Sequence, residues 1–370
     1  MKAQNTLNKL AARAGKAWPF ELLPRIPWAR QAPTYRQASP SVIDAALARS
    51  QKRPSGNWYV IAASTAITSK PYGATVAGAE LVCWRGTDNQ LRIGPARCPH
   101  LGADLCTGSV DRGALICPWH GLRLTGRSRP DWPSLPAYDD GVLAWVRLDR
   151  VGGETPTAAP ILPVRPDTPH LAAVTSLTGT CEPTDIIANR MDPWHGAWFH
   201  PYSFTSLEVL SAPPEGDDLP EELDRFLVAV TFRLGRLGVP VIAEFTSPEP
   251  RTLVMRIIDG EGSGSVVETH ATPIGYGPDG QPRSVVLEAV IAHSDRPGFT
   301  RALRAAPLIT PLMRHAAHRL WRDDLIYAER LHTVRRQDAA GAADLLSPAD
   351  EPTTADGQHP RAAPGPAPTD

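Results

Sequence analysis

Two short segments constrain this chain more than anything else in it: Cys98-Pro-His100-Leu-Gly102 and, further on, Cys117-Pro-Trp-His120-Gly121. Each offers one sulfur and one imidazole a few residues apart, so each must be a tight loop whose two ligands point the same way. Pro99 and Pro118 stiffen those loops, while Gly102 and Gly121 let the backbone come close to whatever the ligands enclose. Separate turns of a small β-domain would bring the two loops together. Five cysteines are too few, and too odd a number, for a disulfide framework, so the clustered pair reads as reactive or metal-bound. Two Cys and two His also satisfy tetrahedral zinc. A zinc finger, however, usually groups its cysteines in one half and its histidines in the other, and here each half contributes one of each.

The motif closely resembles the Rieske family, over roughly residues 46 to 155. The resemblance implies a [2Fe–2S] cluster with Cys98 and Cys117 on one iron and His100 and His120 on the other. Imidazole in place of thiolate removes negative charge and raises the reduction potential. High-potential respiratory members join their two loops by a disulfide. Ala103 and Trp119 stand at those positions, and Cys106 comes three residues too late to substitute. The resemblance therefore points to the lower-potential ferredoxins and oxygenases. Trp58-Tyr-Val-Ile-Ala, Glu80-Leu-Val-Cys-Trp and Ala144-Trp-Val-Arg-Leu read as short strands between turns, with Cys83 an inert core thiol.

A ferredoxin would end soon after the cluster, but more than half of the chain follows. The Pro- and Gly-rich stretch from Gly152 to Pro169 reads as a linker. Beyond it comes Asn189-Arg-Met-Asp192-Pro-Trp-His195-Gly-Ala-Trp-Phe-His200-Pro. Two histidines five apart are half of a 2-His-1-carboxylate site, which holds Fe(II) on one face and leaves the other open to dioxygen. Five residues of ideal helix would turn the second ring off the first one's face; Gly196 and Pro201 give room for a distortion. On their own, His195 and His200 read more readily as ordinary histidines ending an aromatic-rich helix than as ligands.

After a Rieske domain, the pattern Asn-x-x-Asp-x-x-His-x-x-x-x-His is similar to that of Rieske non-haem iron oxygenases, and Asn189, Asp192, His195 and His200 all match. The resemblance implies catalytic roles for Asn189 and Asp192, with Asp192 linking an iron His to a cluster His across a subunit interface. It implies His195 and His200 as iron ligands. It also places the third ligand near the C-terminus, in a helical segment expected over Pro311 to Gln337. There Trp321-Arg-Asp323-Asp324-Leu-Ile-Tyr-Ala-Glu329 aligns Asp324 as the ligand, with Asp323 the alternative. His315 and His318 read as surface or supporting residues.

The expected fold is α+β: a β-sandwich-like Rieske domain, then a helix-grip catalytic domain with an antiparallel sheet and a long C-terminal helix. Strands are expected over 226–232, 241–245, 252–258, 266–271 and 284–292. The expected divisions are an N-terminal extension at 1–45, the Rieske domain at 46–155, the mononuclear iron domain at 156–338, and a disordered tail at 339–370. The acidic run from Glu215 to Asp224 reads as a solvated loop.

A net charge of −1, from 38 basic and 39 acidic residues, gives no basic face for nucleic acid. No stretch is apolar enough to span a membrane, and the N-terminus lacks a secretory pattern, so the expectation is a cytoplasmic protein. Ala17 to Trp28 reads as a contact with another domain or, less favoured, with a membrane surface. The family resemblance implies the terminal oxygenase, a monooxygenase, of a multicomponent system, built as a homotrimer. It would use dioxygen to hydroxylate, demethylate or desaturate an apolar substrate such as a steroid, a carotenoid-like isoprenoid or an aromatic compound. Without a Gly-x-Gly-x-x-Gly signature or four further cysteines, electrons must come from a separate reductase or ferredoxin. The other class of function is a non-catalytic electron carrier or redox sensor.

Overall fold

The computed structural model describes residues 20–24, 26–339 and 341. The basic residues Lys2, Lys9, Arg13 and Lys16, and nearly all of the expected tail, lie outside the described residues. Its Rieske part is built from three small antiparallel sheets. Trp58–Ala63 pairs with Leu143–Arg147, which pairs with Ala137–Asp139; Tyr72–Val76, Ala79–Arg85 and Leu91–Pro95 form the second. The third, Ser109–Asp111, Ala114–Ile116 and Arg123–Leu124, carries the second ligand loop between its last two strands. Cys83 is fully buried in mid-strand, where desolvation raises its thiol pKa strongly.

The catalytic part is an eight-stranded antiparallel sheet. Five strands form a meander in chain order: Phe226–Leu234, Leu237–Glu249, Thr252–Gly260, Val266–Tyr276 and Pro282–Ala292. These contain the five expected strands, each longer than its apolar run, because hairpin pairing carries the ladder beyond the buried residues. Two strands the sequence reading missed close the edges, Leu171–Gly179 beside Pro282–Ala292 and Phe204–Ser211 beside Phe226–Leu234. Edge strands with a half-exposed face lack the continuous apolar run that marks the others. The eighth, Glu21–Leu22, pairs with the start of Leu237–Glu249.

The long helix runs Ala306–Ala339, starting a turn earlier than expected and taking Pro311 inside it. A proline in the second turn forfeits one hydrogen bond near an end where several N–H groups lack partners anyway. Ala317, Trp321, Asp324, Leu325, Ala328 and His332 are its buried residues at helical spacing. Trp321, Leu325 and Ala328 enter the core that includes Ile186, Ile187, Phe226 and Val228.

Two expectations are corrected here. The Rieske boundary at residue 46 falls inside a helix, Pro40–Gln51, which begins with Pro at its first position and packs Ala46, Val42 and Ile43 into the catalytic core. The acidic run is not all solvated loop. Asp224 is buried between Arg49 and Arg53 at 2.7 and 2.9 Å, tying that helix to the sheet.

Candidate functional site

The two ligand loops close on themselves by reciprocal backbone bonds, Gly102 N to Cys98 O at 2.9 Å and Gly121 N to Cys117 O at 3.1 Å. Both turns need a glycine, at φ +80° and +69°, conformations an L side chain resists. Cys98 and Cys117 are buried, while the His100 and His120 rings are exposed with centroids 4.9 Å apart. Burial raises the Cys98 thiol pKa, partly countered by amides of His100 and Leu101. At Cys117, burial is outweighed by the amides of Trp119 and His120, and the pKa falls. Amides aimed at both sulfurs suit thiolates in an iron–sulfur cluster. All five cysteines are free.

His195, His200 and Asp324 place their ligand atoms within 4.8 Å of one another, the only such group of three among the described residues. The four Cys and His of the paired loops do not crowd around one point in this way, which suits a two-iron cluster better than a single tetrahedral zinc.

The five-residue spacing of His195 and His200 is accommodated by a change of helix type. Pro193–His195 is a 3-10 turn, Gly196–Phe199 a single α turn, and His200 leaves the helix at φ −120°, ψ 57°. Both rings then point Nε2 at Asp324 Oδ1, at 3.3 Å from His195 and 2.7 Å from His200. The other nitrogen of each ring is held. His195 Nδ1 donates to the backbone carbonyl of Asp192. His200 Nδ1 donates to Tyr202 Oη at 3.3 Å, and the Tyr202 hydroxyl donates to Asp323 Oδ2 at 2.5 Å. Such partners fix tautomer and ring orientation in metal sites.

Asp324 lies on the buried stripe of its helix; Asp323, about 100° round, stays a quarter exposed and meets Tyr202 instead. Asn189, fully buried, donates from Nδ2 to Asp324 Oδ1 at 3.3 Å. Asp192 caps the turn at Pro193, accepting from Trp194 N at 3.1 Å, and accepts from Tyr327 Oη at 3.2 Å. Its carboxylate is 3.6 Å from His195 Nδ1. Sequence reasoning missed Tyr202 and Tyr327. Tyr202, just past the His200-Pro pair, was the more findable. His315 and His318 are exposed and away from the triad, His318 meeting Thr175 at 3.4 Å.

His195 and His200 line a cavity of about 300 Å³. Its walls are mostly apolar, including Val228, Val230, Phe232, Phe245, Met255 and Val290. Burial would lower the His195 pKa, but Asp192 and Asp324 outweigh it and hold it up at about 9. Burial would raise Asp324, but His195 and His200 keep its carboxyl far below the usual range. Asp324 Oδ2 accepts no hydrogen bond. This is a place built to hold positive charge.

Residues 57–139 match the Rieske [2Fe-2S] domain, and residues 151–339 match a family described as a domain of unknown function, DUF5914. The vanillate O-demethylase oxygenase subunit of a Pseudomonas species is 28% identical over 176 residues, 43% of this chain and 49% of that protein. A 3-ketosteroid-9-alpha-monooxygenase oxygenase component of Rhodococcus rhodochrous is 37% identical over 60 residues, 16% and 15% of the two chains. The crystal structure of dicamba monooxygenase bound to dicamba superposes with a TM-score of 0.57 at 19% identity, over 82% of this chain and 92% of that one, showing a shared fold. The chain belongs to the DUF5914 family and carries a Rieske [2Fe-2S] domain. This family member spans no more than about half the length of the relatives it matches in sequence. The cofactors of a Rieske oxygenase are a [2Fe–2S] cluster and a mononuclear iron. The donors present fit both: two thiolates and two imidazoles in paired loops, and two imidazoles and a carboxylate converging in a buried, cation-favouring site.

Proposed function

We propose that the chain is the terminal oxygenase of a Rieske system, using dioxygen and externally supplied electrons to oxidise an apolar organic substrate. The observation that carries this is the meeting of His195, His200 and Asp324, with both histidines lining an apolar chamber, in a chain that also has a Rieske domain. On this reading Cys98, His100, Cys117 and His120 hold the cluster, and His195, His200 and Asp324 hold the iron. When bound, the cluster supplies single electrons and the iron a place for dioxygen to be reduced.

The chain's own residues position and protect. The Asp192 carbonyl keeps the His195 Nδ1 proton and so leaves Nε2 a lone pair for metal; Tyr202 and Asp323 do the same for His200. Asn189 steadies the Asp324 carboxylate. The apolar walls exclude water from the reacting end.

His100 and His120 are exposed beside Leu101 and Trp119, 63% and 60% accessible, an apolar collar suited to a partner surface. With Asp192 against His195, this supports a head-to-tail homotrimer in which Asp192 links the iron site to a neighbouring cluster histidine. A separate reductase or ferredoxin is the electron donor. Among the described residues no helix is long and apolar enough to cross a membrane, and five free cysteines suit a reducing cytoplasm. The relatives' names cover O-demethylation and steroid monooxygenation. Hydroxylation, demethylation and desaturation all begin from this ligand set.

Iron content tests the reading. The purified protein should hold about three irons per chain, and Asp324→Ala about two, with the Rieske visible and paramagnetic-resonance spectra unchanged. A wild-type protein that takes up only the cluster irons under ferrous loading is an electron carrier, and the oxygenase reading fails.

A further inference from the structure

The chamber's apolar wall is interrupted by Arg190 and Glu288, Arg190 standing beside Asp324. Arg190 ends the helix Pro183–Arg190, and Glu288 lies in the strand Pro282–Ala292, so two separate elements aim charge at one cavity. Glu288 is 4% exposed, and both of its hydrogen bonds, from Trp321 Nε1 and from Thr269 Oγ1 at 3.4 Å, end on Oε2. Oε1 takes none. Arg190 lies 3.7 Å from Glu288 Oε2 and 3.7 Å from Asp324 Oδ2, with its guanidinium over the Trp321 ring. Its Nε is buried and donates to nothing. A structural ion pair would close these contacts to hydrogen-bond length. This pair leaves the terminal guanidinium nitrogens and one carboxylate oxygen without a hydrogen bond beside an open cavity.

We propose that Arg190 and Glu288 form the polar recognition end of the chamber, taking an uncharged hydroxyl or carbonyl oxygen of an otherwise apolar substrate and thereby setting which carbon faces the iron site. This rests on the chamber being the substrate site. The charge balance selects a neutral group. A substrate carboxylate would bring a third negative group to a guanidinium already shared by Glu288 and Asp324, and an ammonium would meet Arg190. A neutral oxygen accepts from the terminal nitrogens of the Arg190 guanidinium, and a hydroxyl also donates to Glu288 Oε1. A site with buried polar groups of this kind discriminates against ligands that leave them unpaired.

Calorimetric titration of the holoprotein with naphthalene, 2-naphthol and 2-naphthoate tests this. The naphthol is expected to bind about tenfold tighter than either of the others. In Glu288→Leu that advantage should fall to within about threefold, with naphthalene binding little changed. If that variant does not fold, Arg190→Met is expected to lose the same advantage. Equal affinities in the wild type, a preference that survives both substitutions, or no binding by any of the three overturns the proposal. Iron content of the same samples keeps the two readings apart. Absence of the third iron defeats the oxygenase assignment, whereas the naphthol preference reports on Arg190 and Glu288 alone.

Discussion

At the residue scale, neighbouring carboxylates have been given different work by rotation about one helix. Asp323 and Asp324 are indistinguishable by type, yet about 100° separates a carboxylate facing two imidazoles from one that accepts from Tyr202. Asp192 is the residue with most to reveal. Its side chain caps a helical turn, a task Asn performs about as well, and also lies against His195. Asp192→Asn should therefore keep both metals and change stability by less than ~0.5 kcal/mol. As a charged link between histidines it should nonetheless slow single-turnover electron transfer to the mononuclear iron on the order of 100-fold. Rapid-reaction measurement of cluster oxidation decides: transfer at the wild-type rate would leave Asp192 as a cap and nothing more.

At the scale of elements, the ligand loops depend on close backbone approach. A Cβ built on Gly108 would stand 2.4 Å from the carbonyl oxygen of Ile116, the residue before Cys117. That neighbour is backbone in a strand and cannot swing aside. Gly108→Ala should push the second ligand loop away from the first, destabilise the fold by ~1–3 kcal/mol and lower cluster occupancy. Thermal melting together with cluster absorbance checks this. Unchanged occupancy would mean that the loops tolerate the shift. The catalytic elements show the converse. The mixed 3-10 and α turn over 193–199 is local and irregular, and it is what lets histidines five apart in sequence share one carboxylate.

At the scale of the molecule, the two folds share an interior. Trp58, Val60, Leu143 and Trp145 of the Rieske part pack with Leu287, Ala289 and Ile291 of the catalytic sheet. Thr272 donates to Val60 O at 2.7 Å across the same joint. The linker contributes a clamp. Arg165 reaches Asp140 at 2.9 Å on one side and the fully buried Glu268 at 2.6 Å on the other. Burial raises both carboxyl pKa values, but Arg165 prevails and holds each below its usual range. Groups with depressed folded-state pKa values stabilise the protein above their unfolded values, near pH 4, and lose that contribution as pH falls through the folded ones. Arg165→Met removes the cation shared by two buried carboxylates, leaving Glu268 with His270 and Asp140 with hydrogen bonds alone, and should cost ~3 kcal/mol at pH 7. The deficit should shrink toward pH 4 as those carboxyls protonate. Denaturant unfolding at the two pH values measures it, and an equal deficit at both would assign the loss to packing.

The sequence by itself determined what rests on short range. Cys98, His100, Cys117 and His120 announce a Rieske site because proline and glycine at fixed offsets allow only tight loops. The five meander strands announce themselves because each has an apolar run. Tertiary structure decided everything that depends on which face meets which. It set Asp324 rather than Asp323 against the histidines, which only the helix's packing phase can choose. It put the helix Pro40–Gln51 with the catalytic core, since the chain's return to a distant sheet leaves no local mark. It turned Asp224 into a buried partner for Arg49 and Arg53, because a carboxylate in an acidic run looks solvated until the cations that enclose it arrive from 170 residues away.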